Sequence, residues 1–419
     1  MLMEHPGFAA IIVGGGVAGC TTALLLARAG INTLLLERGT QAGSKNVSGG
    51  RLYTHALTEL LPDFATTAPL ERHITQEKLS MVSGDSAVTL DYRHTLPCSY
   101  SLLRARFDPW LMAQAEAAGA QCLTGALVDE LIVQQGRVVG VMAGGEALYA
   151  NTVILAEGAN TLLSEHAELQ PKPPASTMAI GVKEVLALPR ERLEERFALE
   201  DNQGCAWLFA GQPTQGKVGG GFLYTNRDSL SLGVVCNLSS LTDSQVALPQ
   251  MLQQFKQHPA VRPLLRNTEL REYSAHLIPE GGAESMPPLY GPGYLLVGDA
   301  ARLCINSGHT VRGMDLAMLS AQAAAETLIT GQELRHYPLR LQQGSLWALI
   351  QQYRRLPEMM LQSPHWFNRY PQLAADVLQE MFEVNGNAPT PLRKLLWRHA
   401  RRIGLKQLLK DTVNGMRSL

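Results

Sequence analysis

The sequence predicts an α/β protein: a Rossmann-like dinucleotide-binding domain, an antiparallel-sheet substrate domain inserted into it, and a helical C-terminal region. Three observations carry this. The first forty residues run strand, glycine turn, helix, strand, acid. Residues 176–240 hold several apolar, alternating runs. After Gly331 the chain reads as helical, interrupted by Pro338, Pro357, Pro364, Pro371, Pro389 and Pro391.

The N-terminal order can be justified residue by residue. Phe8–Val13 is a short apolar run of strand length. Gly14-Gly15-Gly16-Val17-Ala18-Gly19 then matches G-x-G-x-x-G, and an Ala/Leu-rich helical stretch, 20–29, follows. Gly14 allows the tight turn, Gly16 leaves room for a pyrophosphate against bare backbone, and Gly19 lets helix and strand pack closely. The helix start presents free N–H groups and a positive dipole end to phosphate. A second apolar run, 31–36, ends in Glu37-Arg38, where an acid for a ribose is expected.

Three later stretches favour a flavin over a nicotinamide. Residues 44–53 read SKNVSGGRLY: Gly49 and Gly50 permit close backbone approach to a flat ring or ribityl chain, and Lys45 and Arg51 are nearby cations. Residues 128–156 read as a three-stranded meander with turns at Gln135-Gly136 and Gly144-Gly145. It returns to Ala156-Glu157-Gly158, where a strand end can meet the nucleotide again. Residues 294–297 form a short strand ending in Gly298-Asp299, whose carboxylate can accept from ribityl or ribose hydroxyls. Gly313-Met314 then opens a helix to about Thr330. Its N–H groups would face the pyrimidine edge of a flavin and stabilise negative charge developing there.

The order and spacing of GGGVAG at 14–19, SKNVSGGRLY at 44–53, LLRARFDPWL at 102–111, AEG at 156–158, VGDAA at 297–301 and VRGMDLA at 311–317 resemble a known family. The chain looks like the electron-transfer flavoprotein:quinone oxidoreductases, in their short bacterial FixC-type branch. GGGFLYTN at 219–226 and EYSAH at 272–276 extend the resemblance over nearly the whole length. The wider class includes geranylgeranyl reductases and FAD-dependent aromatic hydroxylases. The resemblance implies FAD, with Gly14, Gly16, Gly19 and Glu37 on its ADP half and Val128 giving backbone near adenine. It also implies Arg104 at the cofactor, Asp299 at the ribityl or pyrophosphate region, and Gly313-Met314 at the isoalloxazine carbonyl edge. Val17, Ala18, Arg38, Ala156 and Gly158 complete the expected cofactor set, and no catalytic side chain or metal ligand is assigned.

Two departures stand out. Relatives carry Asp-Gly where this chain has Glu157-Gly158. Long family members end in a ferredoxin-like domain with a cysteine-ligated iron–sulfur cluster, whereas the last cysteine here is Cys304. The resemblance therefore implies an electron-transfer flavoprotein as donor, a separate ferredoxin-like partner, and quinone as acceptor. Two other readings stay open: a reductase or monooxygenase acting directly on a small or lipid substrate with NAD(P)H, and a non-catalytic flavin subunit of a redox complex.

Expected boundaries are 1–60, 100–165 and 285–330 for a discontinuous FAD-binding domain, 61–99 and 166–284 for the substrate or quinone side, and 331–419 for the helical region. Gly219-Gly220-Gly221 serves either close approach to a ligand or a sheet bulge. His276 and His309 are the histidines to follow, His309 because its loop precedes the pyrimidine-binding helix.

Composition agrees with this. The 419 residues are 46% hydrophobic and 17% charged, against a usual charged share of about 25%, so much of the chain is expected to be interior, cofactor wall or partner contact. A formal charge of −1 argues against a basic nucleic-acid-binding protein. Residues 392–419, however, hold eight basic side chains and one acid, Asp411. The apolar residues of a helix expected over 392–409 allow an anionic membrane face, an acidic partner, or a packed helix with a solvated basic face. Scattered cysteines and the lack of an 18-residue apolar run suggest a cytoplasmic protein, peripheral at most on the inner face of the cytoplasmic membrane.

Overall fold

The computed structural model describes residues 7–44 and 50–418. Strand β1 (Phe8–Val13), helix α1 (Val17–Arg28) and strand β2 (Thr33–Glu37) form the N-terminal unit at the expected positions. β1 lies between β2 and the strand Glu146–Leu155, parallel to both, and Tyr294–Leu296 and Gln121–Thr124 extend the parallel set on either side. Val13 registers with Leu36 and Leu155, and Leu155 with Leu296. The carboxyl ends of these strands therefore share one edge, where ligands of open parallel sheets bind.

These strands read as unbroken apolar runs because both faces are covered. Ile11, Ile12, Leu35, Ile154, Leu155, Leu295 and Leu296 are fully buried. α1 packs against two other helices, Arg104–Ala117 and Met314–Ile329. The meander Val128–Gln134, Arg137–Ala143, Glu146–Leu155 is as expected, with each outer strand antiparallel to the middle one.

The second sheet has nine strands, and here the expectation needs correcting. It is mixed rather than antiparallel: Leu70–Ser83 runs parallel to Gln203–Gly211, from His73↔Gln203 to Val82↔Gly211. A parallel pair needs a long crossover, and the segment between these strands supplies it by passing through the first sheet. Local alternation reveals a strand but not the direction of a partner over a hundred residues away. Gly50–Tyr53 and Ser99–Leu102 also belong to this sheet, so the chain crosses into it before residue 61.

One face of the second sheet is sealed by the helix Leu248–Gln257, whose Leu248, Met251, Leu252 and Phe255 pack with Phe209, Leu223, Leu232 and Val234. The other face looks towards the carboxyl ends of the first sheet.

In the C-terminal region the prolines begin helices more than they end them. Pro357 lies in the first turn of Leu356–Gln362, Pro371 in that of Arg369–Phe382, and Pro391 immediately precedes Leu392–Ile403. The single helix expected over 392–409 is two helices, Leu392–Ile403 and Leu405–Ser418, because Gly404 turns the chain with φ +100°. Asp411 is fully buried and accepts hydrogen bonds from Tyr370 (2.6 Å), Gln407 (2.8 Å) and His365 (3.1 Å). The acid of the tail is thus consumed inside, while its eight basic residues are exposed.

Candidate functional site

A cavity of about 1310 Å³ lies between the two sheets and the C-terminal helices. That exceeds the ~300–1,000 Å³ of most small-molecule pockets, leaving room for a dinucleotide and a second occupant. Glu37, Arg38 and Val128 line one end; the 306–310 loop and apolar residues including Leu79, Leu90, Met359 and Met416 line the other.

The glycine turn is built by close approach. Gly14 has φ +110°, and a Cβ there would lie 2.3 Å from the Ala156 carbonyl oxygen. A Cβ on Gly19 would lie 1.9 Å from the Gly14 carbonyl oxygen. Gly16 precedes α1 with extended backbone and no side-chain cap, so the first N–H groups of the helix remain for a ligand. Gly14, Gly16, Val17 and Ala18 line the cavity, whereas Gly19 acts behind it.

Glu37 does more than the sequence suggested. Its Oε2 accepts the Gly15 N–H at 2.7 Å and its Oε1 the Gly39 N–H at 2.6 Å. The acid latches the turn to the end of β2, and each oxygen keeps a lone pair for a ribose hydroxyl. Glu157 answers the question of its extra methylene: its carboxylate caps the short helix Leu162–His166 by accepting from Leu163 N (2.8 Å) and Ser164 N (3.0 Å).

Asp299 follows the strand Tyr294–Leu296 and lines the cavity. Among the described residues no donor meets its carboxylate. Burial pushes that carboxyl up to about 6, with the Arg104 guanidinium pulling the other way. An inward carboxylate lacking a partner fits a ligand that brings hydroxyls. A Cβ on Gly313 would stand 3.5 Å from Asp299 Oδ1, so the start of Met314–Ile329 and the Gly-Asp turn form one surface. Gly298, with φ +61°, comes so close to Ala18 that a Cβ would be 2.9 Å from the alanine methyl.

The cations divide into two groups. Arg51 lines the cavity but is held by the protein: it pairs with Glu77, donates to Ser99 Oγ at 3.0 Å and covers the Tyr53 ring at 4.6 Å. Arg104 donates from Nε and Nη2 to Asp108, both at 2.6 Å. Around it stand His276, which the sequence singles out, and Lys183, which it does not. Burial first, then Arg104, Lys183 and Arg38, push the His276 imidazole down to about 4, so it is neutral at pH 7. Burial also drives Lys183 well below the usual lysine range. A lone lysine in the run 178–185 was its available signal. Arg38 is exposed at the cavity edge. Lys45 and Gly49 lie outside the described residues.

Ala156, Gly158, Gly50 and Met314 also line the cavity. His309 lies exposed on its rim. The Gly219–Gly221 backbone lines it too, but a Cβ at these positions would meet Val235 O at 2.1 Å, Phe209 O at 2.5 Å and Phe255 at 2.8 Å. Packing within the sheet and against its helix is therefore enough to require glycine there.

The fold and glycine cradle define a class, the FAD-dependent oxidoreductases, and residues 9–95 and 96–327 match the family model "FAD dependent oxidoreductase". The same fold occurs in a geranylgeranyl bacteriochlorophyll reductase-like protein of Thermoplasma acidophilum, with TM-score 0.71, 17% identity and coverage of 97% of this chain and 99% of that one. It also occurs in an L111Y mutant of the halogenase PltM in complex with FAD (TM-score 0.64, 14% identity, 97% and 86% covered). Residues 356–419 match the ETF-QO/FixC family C-terminal domain. The chain is 48% identical over the full length of both to a probable electron transfer flavoprotein-quinone oxidoreductase, YdiS, of Escherichia coli K12. It is 50% identical to YgcN and 48% to Protein FixC of the same strain, covering 98% and 99% of both partners. It belongs to the ETF-QO/FixC family, and FAD is its cofactor.

Asp299 yields a pH prediction. Ligand hydroxyls favour its ionised form, so FAD binding should lower its pKa, and affinity should fall as pH drops through about 6, by up to roughly tenfold per unit. Fluorescence titration of the apoprotein with FAD between about pH 5 and 8 measures this. Asp299→Asn should flatten the profile; an unchanged slope in that variant contradicts the assignment.

Proposed function

We propose that the protein takes electrons from an electron-transfer flavoprotein and passes them toward a quinone. The observation that carries this is full-length kinship, at 48% identity, with a relative of that name. Bound FAD supplies exchange of one or two electrons. The chain's part is binding, orientation and exclusion of water. Gly14, Gly16 and the start of α1 would hold the pyrophosphate, and Glu37 and Val128 the adenosine end. Asp299 would hold the ribityl hydroxyls, and Gly313-Met314 would direct N–H groups at the carbonyl edge of the ring.

The apolar end of the cavity supports a quinone as the second occupant. Leu79, Leu90, Trp366 and Met416 are partly exposed around it, and Leu208, Met359 and Phe367 continue inward. Such a wall suits a lipid-soluble acceptor better than a polar metabolite. A separate ferredoxin-like partner is part of this reading, and the chain's cysteines are compatible with it. They are dispersed, and among the described residues no group of three or more metal-ligating side chains gathers.

The tail supports docking on an anionic membrane face. No helix among the described residues is long and apolar enough to cross a membrane. Leu396, Trp397, Leu409 and Met416 are exposed beside eight exposed basic residues, and Met416 also lines the cavity. Apolar residues flanked by cations match the interface of an acidic bilayer, from which a quinone could enter directly.

Two measurements test these readings. In anaerobic stopped-flow experiments a reduced electron-transfer flavoprotein should reduce the bound flavin at a turnover-competent rate, and NADPH should not. Rapid bleaching by NADPH with turnover of a small substrate would overturn the proposal in favour of a direct reductase or monooxygenase. Arg402, Lys406 and Lys410 are exposed and, unlike Arg398 with Glu380, form no ion pair among the described residues. Reversing these three should weaken binding to phosphatidylglycerol vesicles by roughly 10²-fold at low salt, with FAD content unchanged. Undiminished vesicle binding would leave the tail as a solvated face.

A further inference from the structure

Sequence reasoning gave Glu280 no role, yet its surroundings are unusual. It follows the strand Glu269–Pro279 directly, lines the cavity and is 9% exposed. Its Oε2 accepts from Asn306 Nδ2 at 2.9 Å. The orientation of that amide is fixed from the other side, because Asn306 Oδ1 accepts the Gly308 N–H at 2.9 Å. Asn306 can therefore only donate to Glu280. Oε1 is buried without any hydrogen-bond partner among the described residues.

This arrangement selects both a protonation state and a position for the proton. An ionised carboxylate with one buried oxygen unpartnered is costly, and the neutral acid relieves that cost. Since Oε2 is engaged as an acceptor, the proton sits on Oε1, where nothing competes for it. Burial pushes the Glu280 carboxyl up to about 7, with the Asn306 hydrogen bond opposing it. The thiols of Cys236 and Cys304 feel the Glu280 charge, and both are pushed up by burial, Cys236 to about 12, so neither brings charge near pH 7.

We infer that Glu280 is the proton donor of the redox reaction, its carboxyl group, which lines the cavity beside the 306–310 loop, releasing a proton there when electrons arrive. Asn306 is its positioning residue. The loop carries Ser307, Gly308, His309 and Thr310 along the same cavity wall, immediately before the Gly313-Met314 helix start. This deepens the electron-transfer reading and rests on it for the identity of the acceptor. A quinone becomes a quinol by gaining two electrons, supplied by the reduced electron-transfer flavoprotein, and two protons. The Glu280 O–H bond breaks as one quinol O–H bond forms, the carboxylate regains a proton from water at the cavity mouth, and the second proton enters from that water.

The test uses the FAD-loaded protein and has two arms. In reduced-minus-oxidised infrared difference spectra, taken with a chemical reductant and a short-chain quinone present, the wild-type protein should show loss or shift of a protonated-carboxyl C=O band. That band should be absent from Glu280→Gln and displaced in Glu280→Asp. In the second arm, quinone reduction by the wild type should decline above about pH 7, where the donor is ionised, by roughly tenfold per unit. Glu280→Gln should be slower by roughly 10²-fold or more without that pH step, and Glu280→Asp should recover part of the rate. A carboxyl band indifferent to reduction overturns the inference whatever the rates, as does wild-type quinone reduction and pH profile in Glu280→Gln. If the band responds but the wild type reduces no quinone from any donor, the electron-transfer reading fails and Glu280 stands as proton donor to another acceptor.

Discussion

The carboxyl ends of β1 and of the strand Glu146–Leu155 are held together by backbone approaching backbone, and the site depends on that contact. The Gly14 carbonyl lies where a side chain on Gly19 would be, and the Ala156 carbonyl where one on Gly14 would be. Two segments far apart in the chain thus meet with only hydrogen atoms between them. Glu37 secures the arrangement by accepting from Gly15 on one oxygen and Gly39 on the other. In a buried setting such charge-assisted bonds are strong and directional. They hold the turn so that the first N–H groups of α1, which no side chain caps, stay free for a ligand.

From that fixed edge the cavity grows in one direction. The Gly-Asp turn after Leu296 and the helix start at Gly313 are pressed against α1 through Gly298 and Ala18, so the polar end is rigid and backbone-lined. The second sheet faces it with side chains, and here charge accumulates. Burial, with Arg104 close by, pushes both Lys183 and His276 down, and His276 is left neutral. Farther along, polar groups give way to Leu79, Leu208, Met359 and Met416. One continuous space therefore passes from a cationic, hydrogen-bonding end to an apolar one, with the buried acid Glu280 beside the loop between them.

Much of this was legible in the sequence, for local reasons. The βαβ unit, the meander, the Gly-Asp strand end and the helix at Gly313 depend on short-range pattern and glycine spacing, and each appears where expected. What escaped was set by long-range partners. The parallel pairing of Leu70–Ser83 with Gln203–Gly211 cannot be read from either strand alone. Arg51 lines the cavity as expected of a cofactor cation, but its pairing with Glu77 could not be read from either residue's local sequence. Lys183 and Glu280 gave only faint signals, a charge within an apolar run and an acid at a strand end. The split at Gly404 was readable in principle, since a glycine inside a helical pattern is a helix stop as often as a passenger. The tail's excess of basic residues is plain in the sequence, but only the fold shows that Asp411 is inside and that the charged groups left on the surface are basic.

The central claim is that the turn between β1 and α1 is the pyrophosphate seat of FAD, and Gly16 probes it most directly. Gly16 faces the cavity, whereas Gly14 and Gly19 are also needed for the fold. The decisive measurement is the FAD content of purified Gly16→Val, by absorbance, alongside its circular dichroism. A folded, colourless protein that fails to take up added FAD is the result the account predicts. A folded, yellow protein with stoichiometric FAD would contradict it.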